Sequence, residues 1–322
     1  SLLSETVKQK HLYRQRKKAR RKLEQSLKME PTYAKTYALL GHVAEVRGDT
    51  QMAFDYYGQA SALDPNYVAP RFAIANLANL DGDTSGEIAA LQSVLEAVPW
   101  HDDAYDQLGL VHERLGQSEL AATYYDRALG LSDVDPDRLY RASSVHLSLG
   151  QFDRAVDYLG RAVARIPGEQ AYHVGLTRAY TRAGDFELAK DALAAAHEVG
   201  VESTDLWLAA GELALKTKDY AEAEAAFNRV LAEQPGRTDA QLMVARLRSA
   251  RGDYQAAIEA YTQAIEGGLQ IEDVLEPLAS AYIGVGDQAK ADQLYKDALT
   301  KRPNEISWLM ARSRILIGTL AH

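Results

Sequence analysis

The sequence predicts an all-α array of stacked helix-turn-helix repeats, and three periodic observations carry that prediction. Proline recurs on a 34-residue grid at Pro31, Pro65, Pro99, Pro167, Pro235 and Pro303, while Asp133, Val201 and Leu269 take the three other grid points. Glycine recurs in phase with it at Gly48, Gly82, Gly116, Gly150, Gly184, Gly252 and Gly286, with Lys218 as the one exception. A small, a bulky and another small residue then follow in fixed order within each period. Self-similarity at a fixed period of this length is the mark of units that each need a neighbour to complete their core.

The elements follow in order from the period. Eight units begin at Ala34, Val68, Asp102, Pro136, Gln170, Thr204, Thr238 and Glu272 and fill residues 34–305 without insertion or deletion. The first helix of a unit carries its apolar face at repeat positions 4, 7, 8 and 11, as in Tyr37, Leu40, Gly41 and Ala44, or Trp207, Ala210, Gly211 and Ala214. That spacing lies on one side of a helix. The glycine at position 15 tolerates positive φ and suits a tight stop. An aspartate often follows it, as in Asp49, Asp185, Asp253 and Asp287, and aspartate is a good helix cap. The second helix carries Ala53, Glu87, Ala121, Ala155, Ala189, Ala223, Ala257 and Ala291 at position 20. Four residues on stand Tyr57, Leu91, Tyr125, Leu159, Leu193, Phe227, Tyr261 and Tyr295, and position 27 is again mostly alanine. Position 32 breaks the helix. Helices of about three turns are marginal alone, so stacking must complete the core.

The two ends depart from the pattern. Residues 1–33 read as a basic capping helix or degenerate repeat, with Ala19, Leu23 and Ser26 at positions 20, 24 and 27. Residues 306–322 read as one capping helix, from Ile306 to about Leu320. Its apolar residues, among them Trp308, Leu309, Ile315, Leu316 and Ile317, exceed what a cap needs. Part of that face is expected on Leu294 and Ala298, and the surplus reads as a dimer contact or a continuing chain.

Bulk composition narrows the function. The 322 residues are 47% hydrophobic and 25% charged, as in ordinary globular proteins. There is no cysteine, which removes disulfides, thiol catalysis and thiolate metal sites. The lack of cysteine fits the cytoplasm and the periplasm alike. No apolar run is long enough to span a bilayer. The chain opens on Ser1 and not methionine, which leaves room for a removed leader or anchor. Net charge is −9, yet residues 1–33 carry ten Lys or Arg against three Glu, a local balance of +7 that leaves −16 on the remainder.

The repeat resembles the tetratricopeptide repeat family, whose pattern is a bulky residue, Leu-Gly, Tyr, Ala-x-x-x-Phe and Pro. Residues 204–237 match through Trp207, Ala210-Gly211, Ala214, Ala223, Phe227 and Pro235, and residues 34–67 through Tyr37, Leu40-Gly41, Ala44, Ala53, Tyr57 and Pro65. Glu87, Lys218, Asp133, Val201 and Leu269 depart from it. The resemblance covers residues 34–305 and implies a right-handed superhelix, an α-solenoid, whose first helices line a concave groove. It also implies a non-enzymatic scaffold that binds a peptide or helical segment of another protein. Regular arrays of this family are common in bacterial pilus, secretion and envelope assembly.

The residues that the resemblance turns into the groove are Lys35, His42, Phe72, Asn76, Asn79, Tyr140, Arg178, Arg182, Glu212 and Arg246, with Arg141 beside them. Arg141, Arg178 and Arg182 form a basic patch suited to carboxylate or phosphate. Phe72 and Tyr140 offer aromatic platforms, and Asn76 and Asn79 can hold a peptide backbone. All of these are also what an ordinary solvated polar face contains. The family's two-carboxylate clamp for chaperone C-termini is not matched, because the third first-helix offers Asp103, Asp106 and Gln107 where basic residues are needed.

The basic stretch Arg14, Arg16, Lys17, Lys18, Arg20, Arg21 and Lys22 has four readings. It is a solvated cap, a docking helix that enters a neighbouring copy's groove and makes a homo-oligomer, a segment on a cytoplasmic membrane surface, or a nucleic-acid contact. The last is the weakest, since the acidic body repels phosphate. Catalytic motifs are missing: there is no zinc-binding His-Glu-x-x-His, phosphate loop or nucleophile elbow. His112, His146 and His173 fall on packing positions and read as core, with no metal or other cofactor implied. A further reading makes the array the regulatory arm of a larger enzyme.

Overall fold

The computed structural model describes residues 2–30 and 32–320, with side chains described for Gln15, 17–30 and 32–317. The described residues form eighteen α-helices and no strand. They fall into two compact units, Ser1–Gly150 and Gln151–His322. The boundary lies in the turn of the fourth repeat.

The first unit opens on one long helix, α1 (Leu2–Met29). Three helix pairs follow: α2 (Ala34–Glu45) with α3 (Thr50–Leu63), α4 (Ala69–Leu80) with α5 (Thr84–Ala97), and α6 (Asp102–Arg114) with α7 (Ser118–Leu131). The unit closes on α8 (Pro136–Ser148). The second unit opens on α9 (Phe152–Arg165), a second helix that packs on the next first helix, α10 (Gln170–Ala183). α10 pairs with α11 (Phe186–Glu198), α12 (Thr204–Lys216) with α13 (Tyr220–Glu233), α14 (Thr238–Arg251) with α15 (Tyr254–Glu266), and α16 (Ile271–Gly284) with α17 (Gln288–Lys301). α18 (Ile306–Leu320) packs on α17.

The turns follow the expected chemistry. The seven position-15 glycines all adopt positive φ, between 69° and 89°, and Lys218 takes the same left-handed conformation at 64°. Before each of Pro65, Pro99, Pro167, Pro235 and Pro303 the residue is extended, with φ between −136° and −129°. Proline disfavours helical backbone in the residue before it, so the helix stops there. At two grid points that lack proline a second glycine ends the helix instead. Gly200 and Gly268 turn left-handed, and the N–H groups of Val201 and Leu269 reach back to the carbonyls of Ala196 and Ala264.

The aspartates after the turns cap less uniformly than expected. Asp287, Asp83 and Asp219 accept hydrogen bonds from the N–H groups of Lys290, Gly86 and Glu222. Asp49, Asp185 and Asp253 make no side-chain cap. Asp49 and Asp253 face Arg47 and Arg251 instead, at 3.3 and 3.7 Å.

Packing is made by the repeated small residues. The seven alanines at position 20 are buried, as are Ala60, Val94, Ala128, Ala162, Ala196, Val230, Ala264 and Ala298 at position 27. Between repeats, the second helix presses on the first helix of the next unit. Ala257 and Tyr261 of α15 share a cluster with Val274, Leu278 and Ala281 of α16. Trp308 and Ile315 of α18 extend the last cluster, beside Tyr295, Ala298 and Leu294.

α1 corrects the degenerate-repeat reading. It is a single uninterrupted helix that runs through Arg14, the residue at the repeat's turn position. Ala19, expected as a packed small residue, is exposed.

The closest approach within a pair is glycine against an aromatic ring. A Cβ on Gly109 would lie 2.6 Å from Cε1 of Tyr125, and one on Gly41 equally near Tyr57. Ala245 and Ala279 hold the same repeat position later in the chain, so the ring can shift, at a price in packing. Gly109→Ala should therefore lose about 1.5 kcal/mol in urea denaturation. Gly58→Ala, where nothing stands near the new methyl, should lose nothing. Equal stability of both variants would contradict this packing.

Candidate interaction surface

The first helices divide their faces sharply. In α12, Leu206, Trp207, Leu208, Ala209, Gly211, Leu213 and Ala214 are buried, while Glu212 and Lys216 look outward. In α4, Ala75, Leu77 and Ala78 are buried, while Asn76 and Asn79 are exposed and make no side-chain hydrogen bond among the described residues. Lys35 is exposed, and His42 faces Glu45 at 3.5 Å. Phe72 is not an open platform: its ring lies 5.1 Å from that of His101 and packs on the cluster around Leu91 and Leu108. Tyr140 is half-buried.

Two of the three patch arginines already hold carboxylates from the neighbouring repeat. In the first unit, Arg141 donates to both oxygens of Asp106, at 2.8 and 3.0 Å, and lies 3.5 Å from Asp135. In the second unit, Arg178 forks onto Glu212, at 3.3 Å through each nitrogen. Arg182 and Arg246 are exposed and make no ion pair among the described residues.

Such pairs recur between repeats and went unread in the sequence. Arg138 is buried and donates to Asp102 and Asp103, each at 2.8 Å, and to the carbonyl of Ser132 at 3.1 Å. Asp106, also buried, sits 3.6 Å from its Nε. Glu87, the misfit at position 20, is buried against Arg114 of the next repeat. Arg237 bonds Asp205 and Asp239. The legible signal was opposite charge separated by about one repeat length.

The predicted core histidines are buried and bonded. His112 stacks on Tyr124 and meets Gln117 at 2.6 Å, His146 meets Asp126 at 2.9 Å, and His173 reaches the Pro167 carbonyl at 2.6 Å. Among the described residues, His101, Asp102 and Asp103 are the one group whose ligand atoms lie close enough for a metal. Both carboxylates hold Arg138, a fixed cation that a metal would have to displace.

On α1, Lys17, Lys18, Arg21 and Lys22 are exposed, and Arg20 donates to Glu24 at 2.6 Å. The side chains of Arg14 and Arg16 lie outside the described residues. No described helix is long and apolar enough to cross a membrane.

Sequence models of the tetratricopeptide repeat match residues 102–135, 146–200, 175–238 and 242–275. The chain belongs to the tetratricopeptide repeat family. Among curated proteins it is 24% identical over 286 residues to cellulose synthase operon protein C of Pseudomonas fluorescens, covering 82% of this chain and 22% of that protein. It is 29% identical over 79 residues to a tetratricopeptide repeat and J domain-containing co-chaperone of Fusarium oxysporum, covering 24% of this chain and 15% of the relative. It thus spans less than a third of each. A crystal structure of a tetratricopeptide repeat protein from Parabacteroides merdae matches with a TM-score of 0.69 at 16% identity, over 77% of this chain and 98% of that one.

The Arg237 cluster makes stability depend on pH. Burial alone would raise the Asp239 carboxyl, but the hydrogen bond and charge of Arg237 outweigh it and hold it below its ordinary 3.8. A carboxyl held down in the folded state stabilises above its unfolded pKa, and that contribution is lost as pH falls through the lower folded value. Between about pH 7 and about pH 3 the urea midpoint of the wild type should fall further than that of Asp239→Asn. Parallel falls would contradict the assignment.

Proposed function

We propose that this chain is a scaffold that binds another protein, holding an extended or helical segment against the outward faces of its first helices. The observation that supports this most is the split within those helices. One side is consumed by stacking, and the other presents polar groups such as Asn76, Asn79, Arg182 and Arg246 with unused hydrogen-bonding capacity. Polar groups that stacking does not require are free to recognise a partner, and amide side chains offer both donors and acceptors to a peptide backbone. An assembly or secretion role is the finer part of this reading and draws on the family alone.

A second reading makes the array one arm of a larger machine. The likeness across 82% of this chain to a far longer protein named for the cellulose synthase operon favours it.

Site-specific photo-crosslinking tests the scaffold reading. Crosslinkers at Asn79 and Arg246 should capture the same partner, and one at Leu120, exposed on the second helix α7, should not. Equal capture from all three positions would overturn the assignment of the first-helix faces.

A further inference from the structure

In the second unit, the outer parts of α10, α12 and α14 and the turn after α12 surround a cleft of about 520 Å3. Its rim carries Arg182, Lys216, Lys218 and Arg246. All four are exposed, and none makes an ion pair or side-chain hydrogen bond among the described residues. The cleft's one carboxylate, Glu212, is already held by Arg178. Four uncompensated cations therefore converge on one cleft of a chain whose net charge is −9.

The floor is apolar. Leu215, Tyr220 and Met243 are half-buried and pack on the cluster around Phe227. Cations near helix C-termini are favoured by the helix dipole. That accounts for Arg182 and Lys216 in the last turns of α10 and α12. It does not account for Arg246, which stands earlier in α14.

Lys218 carries further weight. It is the one non-glycine residue with positive φ among the described residues, at the position where the other seven repeats use glycine. A side chain there is strained where glycine is not. The repeat that accepts this strain is the middle one of the three that border the cationic cleft.

We infer that this cleft docks an acidic segment of a partner protein, with carboxylates on either side of a bulky apolar residue. The inference rests on the scaffold reading above and names the partner's chemistry. The carboxylates meet Arg182, Lys216, Lys218 and Arg246, whose charge-assisted hydrogen bonds suit them. The apolar side chain lies on Leu215, Tyr220 and Met243. Clustered charge of one sign over an apolar floor strengthens the local field and steers such a ligand.

The probe is a fluorescein-labelled peptide Glu-Glu-Leu-Glu-Glu, with Gln-Gln-Leu-Gln-Gln as its neutral counterpart, read by fluorescence anisotropy against the full chain. The acidic peptide should saturate and weaken with added salt. The Arg182→Glu/Arg246→Glu variant should bind it at least about tenfold more weakly. Lys218→Gly should weaken binding while raising the urea midpoint, two opposite changes that a purely structural lysine would not give. No saturable binding to the wild type, equal binding of the neutral peptide, or unchanged affinity in both variants would overturn the inference. So would tighter binding of a single-stranded oligonucleotide than of the acidic peptide. If the reversal variant still crosslinks its partner through Asn79, the scaffold reading stands and only the cleft is removed from it.

Discussion

A pair of three-turn helices cannot cover its own apolar face, and the rest of the structure depends on that shortage. The pair closes where Gly41, Gly109 and Gly211 sit beneath Tyr57, Tyr125 and Phe227, and it opens a second apolar side to the next repeat. The buried alanines at positions 20 and 27 let the backbones approach closely enough for this. Each helix therefore has two committed sides and one uncommitted side. The uncommitted side of the first helix is where recognition can reside, since its residues answer to no packing demand.

Charge refines that division. Arg138, Arg141 and Arg178 tie neighbouring repeats together through Asp102, Asp106 and Glu212, and Arg237 bridges Asp205 of its own repeat and Asp239 of the next. Desolvation offsets much of the Coulomb gain of a buried pair, so Arg138 is weak ground for net stability, although removing one partner alone is costly. These pairs engage the charges that look most like a ligand patch in the sequence. Within the second unit, Arg182, Lys216, Lys218 and Arg246 carry positive charge that no ion pair among the described residues compensates.

The fold was legible because stacking is periodic and leaves its period in the chain. Proline, glycine and alanine each mark a place where backbone geometry allows little else. Where the marks change, a different device does the same work: Gly200 and Gly268 end helices where Val201 and Leu269 replace proline. The site was less legible. Whether Arg141 or Arg182 is free depends on a residue about one repeat away, and a list of outward positions does not carry that information. Phe72 reads as a platform by position, yet its ring packs against His101 at the end of the same repeat.

The acidic partner segment proposed for the second unit's cationic cleft would lie against a methionine. The chain has four methionines, and they are well placed to test it. Met243 lines the cleft, whereas Met29, Met52 and Met310 lie exposed on α1, α3 and α18. In a methyl spectrum of the full chain labelled at methionine, the acidic peptide should shift the Met243 signal and leave Met29 and Met52 in place. An unmoved Met243 signal at saturating peptide would contradict the account.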